Sequence, residues 1–169
     1  MQINQTLMHD LLQQAHNSPR KRAFVHLHQS HAEPVQRVLI AMLPDSYVVP
    51  HQHPMPGQFE LFVVLHGAVD LLQFDAFGHL LSRQTLGAGL HQVAVELAPG
   101  VWHSLIALGD GVVFLEIKAG PFDPDAPRCF AEFAPSENSQ TAVAYLSLLK
   151  MASVGSRCVL DNNSLELNS

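Results

Sequence analysis

Charge is what this chain has least of: Asp, Glu, Lys and Arg make up 14% of its 169 residues, against about 25% in an average soluble domain. With an ordinary hydrophobic fraction of 47%, that is the reverse of the disorder signature. Basic residues are the scarcer sign, 9 against 15 acidic ones, for a net charge of −6. No basic stripe is available for a phosphate backbone, which sets nucleic acid aside as a partner. Long apolar stretches are missing too. The longest unbroken one runs from Val38 to Leu43, far short of the roughly 20 residues of a membrane helix. The first Lys or Arg is Arg20, so no charged region precedes an apolar segment as in a secretory signal. The expectation is a soluble cytoplasmic protein with no membrane partner. Cys129 and Cys158 stand alone without C-x-x-C spacing, which sets aside a disulfide framework and a thiolate zinc site. A Gly-x-Ser-x-Gly elbow and a phosphate-cradling glycine loop are also absent.

Histidine, by contrast, is abundant: 11 residues, more than Lys and Arg together. The length predicts one domain. Of 21 Pro and Gly residues, 19 fall between Pro34 and Pro135. They separate short runs rich in Val, Leu, Ile and Phe: Val35–Leu43, Phe59–Leu65, Ala68–Phe74, Gln92–Leu97, Val101–Leu108 and Val112–Lys118. Short strands broken by turn residues predict a β-sandwich or barrel rather than a parallel α/β sheet. Gly67 and the segment Asp75-Ala76-Phe77-Gly78 read as hairpin connections. Ile3, Leu7, Leu11, Leu12 and Ala15 follow a helical period that Pro19 stops. A second helix is predicted from Ala142 to Met151, after a capping region at Ser136–Ser139.

The chemistry gathers at Tyr47-Val48-Val49-Pro50-His51-Gln52-His53. Residues i and i+2 of a strand share a face, so His51 and His53 project two imidazoles together. Glu60 opens the next apolar run, and His103 follows Pro99-Gly100-Val101-Trp102 at the start of another. Three imidazoles and a carboxylate suit one divalent transition ion such as Zn, Fe, Mn or Ni. Strand parity also puts Tyr47 on the His51 face, Leu105 and Ala107 on the His103 face, and Trp102 opposite. Phe114, Glu116 and Lys118 share a face as well. The pattern alone turns that charged face to solvent.

His51-x-His53, Glu60 and then Gly67 resemble the first cupin motif, and Pro99-Gly100-x-x-His103 resembles the second. The resemblance narrows to the WbuC-type cupin-fold metalloproteins. It rests on Ser18-Pro19-Arg20-Lys21-Arg22, His28, Gln36-Arg37, Tyr47, Trp102-His103, Glu116-x-Lys118-x-Gly120-Pro121-Phe122-Asp123-Pro124 and Phe133-Ala134-Pro135-x-Glu137, covering residues 18 to 137. There are departures. Asp45 stands where the motif has Gly, Ala107 where it has Asn, and Pro99 and Gly100 are adjacent. Six residues separate His53 from Glu60 where three or four are usual. A site of three histidines and water is therefore the alternative to one completed by Glu60.

The resemblance implies an all-β, double-stranded β-helix (jelly-roll cupin barrel) over residues 23–122. An N-terminal helical segment, 1–22, and a C-terminal loop, helix and tail, 123–169, would flank it. It implies metal ligands His51, His53, Glu60 and His103. It turns Glu116 and Lys118 into the cavity as catalytic groups, and makes Arg22, His28, Arg37 and Tyr47 substrate-binding. The activity implied is that of a metal-dependent enzyme on a small polar molecule, such as a sugar derivative of surface-polysaccharide metabolism. An isomerase or epimerase, a lyase and a dioxygenase all fit such a site. The rival class is a non-catalytic module that binds or senses a small ligand. The low surface charge makes a homodimer the expected assembly.

Overall fold

The structure, a computed structural model, describes residues 1–123 and 129–160. Pro124 of the family marker and the tail from 161 onward lie outside the described residues. The chain forms α1 (Gln5–Asn17), β1 (Arg22–His26), β2 (Val35–Met42), β3 (His51–Gln52), β4 (Glu60–Phe74), β5 (Leu80–Gly87), β6 (Ala94–Leu97), β7 (Trp102–Ala119), β8 (Cys129–Phe130) and α2 (Ala142–Met151). Every strand pairing is antiparallel.

The architecture turns on β4 and β7, which pair with each other along most of their length. Both bend halfway. In β4 the ladder shifts register on either side of His66, next to Gly67 at φ +70°. In β7 the bend is at Gly109 and Gly111, also at positive φ. Only glycine fits the crossing of the two bends, because a Cβ on Gly67 would lie 2.2 Å from the Gly111 carbonyl oxygen. Each strand thus serves two sheets. The first half of β4 and second half of β7 join β1, β2 and β6; the other halves join β3, β5 and β8. This is an all-β double-stranded β-helix with two added helices.

Three apolar clusters hold it together. Phe62, Val64, Val69, Leu71, Leu105 and Phe114 meet between the sheets. Leu11 and Ala15 of α1 cover the outer face of the β2 side through Leu39, Ala41 and Val113. Tyr145, Leu146 and Leu149 of α2 cover the other sheet through Leu72, Phe74 and Ile106. The jelly roll is in effect a sandwich with one helix laid on each outer face.

Several local expectations need correction. Gly67 is not a hairpin turn: the two runs it separates are one strand, and the glycine lets that strand change sheets. Asp75–Gly78 does connect β4 to β5, with the Asp75 carboxylate accepting from the Phe77 and His79 backbone N–H groups. Strand β5 was hidden because it reads Leu-Leu-Ser-Arg-Gln-Thr-Leu-Gly, an edge strand whose polar residues interrupt the apolar run. The predicted span of α2 holds. Its N-cap is Thr141 rather than the Ser136–Ser139 stretch, and no side chain caps it.

Candidate metal centre

β3 lies in the ladder beside β7, with His51 opposite His103. Their ring centroids are 4.4 Å apart. The two rings are anchored alike. His51 Nδ1 lies 2.9 Å from the Val49 carbonyl, and His103 Nδ1 lies 3.0 Å from the Val101 carbonyl. A carbonyl only accepts, so each Nδ1 carries the proton and each Nε2 offers a lone pair. That is the orientation in which a histidine binds a metal.

Glu60 arrives from the other sheet, at the start of β4. The segment Pro54–Phe59 makes up the extra length after His53, and the carboxylate still reaches. Glu60 Oε1 lies 3.0 Å from His53 Nε2, and Oε2 lies 3.1 Å from His103 Nε2. His53 Nε2 is buried and has no aligned hydrogen bond despite that short contact. A buried nitrogen left this way is costly unless something else engages it. Ligand atoms of His51, His53 and Glu60 all lie within 4.8 Å of one another, an arrangement that could hold a metal ion. Two imidazoles and a carboxylate, one imidazole nitrogen being buried without an aligned hydrogen bond, suit a divalent ion of intermediate softness.

The electrostatics hold His51 and Glu60, but not His103, in the deprotonated forms that bind a metal. Burial, then the charge of His103, pushes the His51 pKa down to about 3, which keeps the ring neutral. Burial alone would raise Glu60, but His103 and His53 outweigh it and hold the carboxyl well below the usual range. For His103, burial lowers the pKa and the Glu60 carboxylate more than restores it, so the net shift is upward.

Glu116 and Lys118 point into the molecule. Glu60 pairs in register with Lys118, and Phe62 with Glu116, so all four share the inner face of their sheet. Lys118 Nζ is 2.9 Å from Glu116 Oε1 and 3.9 Å from Glu60 Oε1. The solvent-facing reading of that charged face is thus overturned, because the sheet covers an open cavity at this end instead of a packed core. A cleft of about 740 Å³ borders His53, Glu60 and Lys118, walled by the Pro54–Phe59 and Ala119–Asp123 segments. Across Lys118 lies a second cavity of about 250 Å³, lined by residues that include Arg22, His28 and Glu116.

Tyr47 and Arg37 sit elsewhere. Tyr47 packs against Tyr145 beneath α2 and donates its hydroxyl to the Pro135 carbonyl at 2.9 Å. Strand parity could not place it, because the chain is irregular from Leu43 to Pro50 and β3 begins only at His51. Val48 lines the 250 Å³ cavity instead. Arg37 pairs with Ile117 on the outer face, and its guanidinium meets Glu33. Arg22 lines the cavity with its head anchored on Ser46 Oγ, the Tyr47 carbonyl and Glu137. Phe24 and Phe122 also line it. Phe24 carried no motif; only the β1–β2 register, which sets it opposite Ile40, reveals its position.

The fold and site together define a double-stranded β-helix protein with a His-His-Glu cluster able to hold a metal. A protein with a double-stranded β-helix domain from Klebsiella pneumoniae matches at 17% identity, TM-score 0.50, over 68% of this chain and 83% of that one. KdgF from Halomonas sp. matches at 15% identity, TM-score 0.49, over 65% of this chain and 88% of its own. A cupin superfamily protein from Desulfitobacterium hafniense matches at 17% identity, TM-score 0.45, over 58% and 76%. A family profile described as a domain of unknown function (DUF6016) matches residues 3–86, a span that includes His51, His53 and Glu60 and stops before His103. No curated protein matches.

Proposed function

We propose that this chain is a metal-dependent cupin enzyme of the WbuC type, acting on a small polar molecule such as a sugar derivative of surface-polysaccharide metabolism. His51, His53, Glu60 and His103 hold one divalent ion. The observation that carries the reading is the convergence of His51, His53 and Glu60, with His103 beside them against Glu60 and opposite His51. A bound divalent ion supplies Lewis-acid polarisation of a ligand oxygen. The chain's own residues do the rest. The 740 Å³ cleft admits the ligand beside His53 and Glu60. Lys118, paired with Glu116 at 2.9 Å, holds a proton within reach of a group seated there.

That placement favours an enzyme over a binding module, which needs no proton-transfer group beside its ligand. The open cleft speaks against a metal that merely braces the barrel, because a structural ion is closed off by its protein ligands. The test is a screen of sugars, sugar nucleotides and keto acids, with turnover followed by NMR for wild type, Glu116→Gln and Lys118→Met. The expected result is turnover by wild type that falls at least about a hundredfold in either variant, with metal content unchanged. Saturable binding without turnover would make the protein a binding module.

A further inference from the structure

In a chain of net charge −6, three of the 9 Lys and Arg residues and three of the 11 histidines gather around the 250 Å³ cavity: Arg20, Arg22, Lys118, His26, His28 and His31. Carboxylates offset part of that charge: Glu116 and, at 3.9 Å, Glu60 on Lys118, and one carboxylate, Glu137, shared by both arginines.

The histidines form an ordered chain of hydrogen bonds. Arg37 offers its backbone N–H to His28 Nδ1 at 3.0 Å. The Arg37 carbonyl lies equally near that nitrogen, but it already accepts from the Leu27 N–H at 2.9 Å. In an antiparallel ladder both groups of Arg37 face the same edge, so its N–H needs this acceptor. His28 Nδ1 therefore carries the lone pair and Nε2 the proton. That proton goes to His26 Nδ1, 3.2 Å away. Burial, with the charge of Lys118 nearby, lowers the His26 pKa and favours the neutral ring that accepts this bond. His26 is left with Nε2–H, a donor at the mouth of the cavity. The same bonds use both nitrogens of His28, which removes it as a ligand for a second metal.

We propose that this cavity binds the acidic end of the ligand, a carboxylate or phosphate, through His26 Nε2–H and Lys118 in the positive field of the two arginines. The cavity and the metal-side cleft share Lys118 and Phe122, so a ligand anchored here extends towards His53 and Glu60. That second statement deepens the proposed function and rests on it. The anion site itself does not.

The test is titration of the purified chain with orthophosphate, with acetate and with sodium chloride at matched ionic strength. Imidazole nitrogens are observed by long-range ¹⁵N–¹H NMR, and metal content is measured in parallel. The expected result is saturable shifts of His26 and His28 with orthophosphate or acetate and none with chloride. Whichever anion saturates at lower concentration identifies the group. His26→Phe should weaken binding about tenfold, as loss of a charge-assisted hydrogen bond does, and Lys118→Met should weaken it similarly. His51→Ala should leave it intact. Equal, non-saturating shifts with all three salts would overturn the proposal, as would anion binding that disappears with His51→Ala. A second equivalent of metal lost in His26→Phe would overturn it in favour of a second metal site. A wild type without metal that still binds the anion would refute the proposed function and leave this inference standing.

Discussion

His51 and His103 face each other across the β3–β7 ladder, and each donates Nδ1–H to the carbonyl two residues before it, Val49 and Val101. The two halves of the candidate centre are thus oriented by the same backbone device, which comes free with the strand. Such outer contacts fix tautomer and ring plane before any ligand binds.

Because the site exists only in the folded chain, metal binding stabilises folding. A chelator should lower the midpoint of thermal unfolding, and the cognate ion should restore it. At free metal a hundredfold above Kd the effect is about 2.7 kcal/mol, or roughly 5–11 °C for a domain of this size. Calorimetry with and without chelator checks it, and in His51→Ala the gap between the two curves should shrink to about half or less.

Gly67→Ala should be among the most damaging single substitutions. The added Cβ meets the Gly111 oxygen at 2.2 Å, with φ at +70°. Strain at such a position costs about 1–3 kcal/mol before any clash, and here the bends of β4 and β7 must separate as well. Urea unfolding should show a loss above about 3 kcal/mol. Gly89→Ala, also at positive φ with open space around it, should lose no more than about 1–2 kcal/mol.

Arg83 ties α2 to the barrel. Its guanidinium contacts Asp70 at 2.8 Å and the carbonyls of Leu149, Lys150 and Ala152 at the end of the helix. Asp70 is buried, and its other oxygen accepts from Thr85. Arg83→Met strands a buried carboxylate and should cost about 3–5 kcal/mol. The double variant Arg83→Met, Asp70→Leu should recover part of that loss in the same unfolding experiment.

Glu137 joins the N-terminal segment to the region before α2 by accepting from Arg20 at 2.8 Å and from Arg22 at 2.7 Å. Burial opposes ionisation, but the two arginines outweigh it and lower the pKa below its usual 4.5. A lowered folded-state pKa gives stability that is present above the unfolded value and lost as pH falls through the folded one. Wild type should therefore exceed Glu137→Gln by about 1–2 kcal/mol at pH 7, a figure limited by the exposure of Arg20. The gap should close below pH 4. Unfolding curves across pH 3–7 check both the size and the direction.

Much of this was legible in the sequence because two simple periodicities carry it. Alternation put His103, Leu105 and Ala107 on one buried face, and all three are buried there. The His51-x-His53 spacing pointed to the cluster that the fold assembles, whereas the six-residue gap before Glu60 left that carboxylate open until the fold brought it in. Alternation does not say which face looks inward. That is why Glu116 and Lys118 read as solvent-facing by pattern: a wet cavity and open water favour the same residues. Parity also fails across Pro50, which carried Tyr47 to the wrong side of the sheet. The Gly67 bend was invisible for a third reason, since its partner Gly111 is far away in sequence and the crossing exists only once both strands have folded.

The most direct test of the account is elemental analysis of chelator-free protein alongside His51→Ala and His103→Ala, with each variant checked for folding by circular dichroism. The account predicts one equivalent of a divalent transition metal per wild-type chain and a loss of at least about tenfold in metal affinity in either variant. Folded wild-type protein that takes up no stoichiometric metal when offered Zn, Fe, Mn or Ni would contradict it.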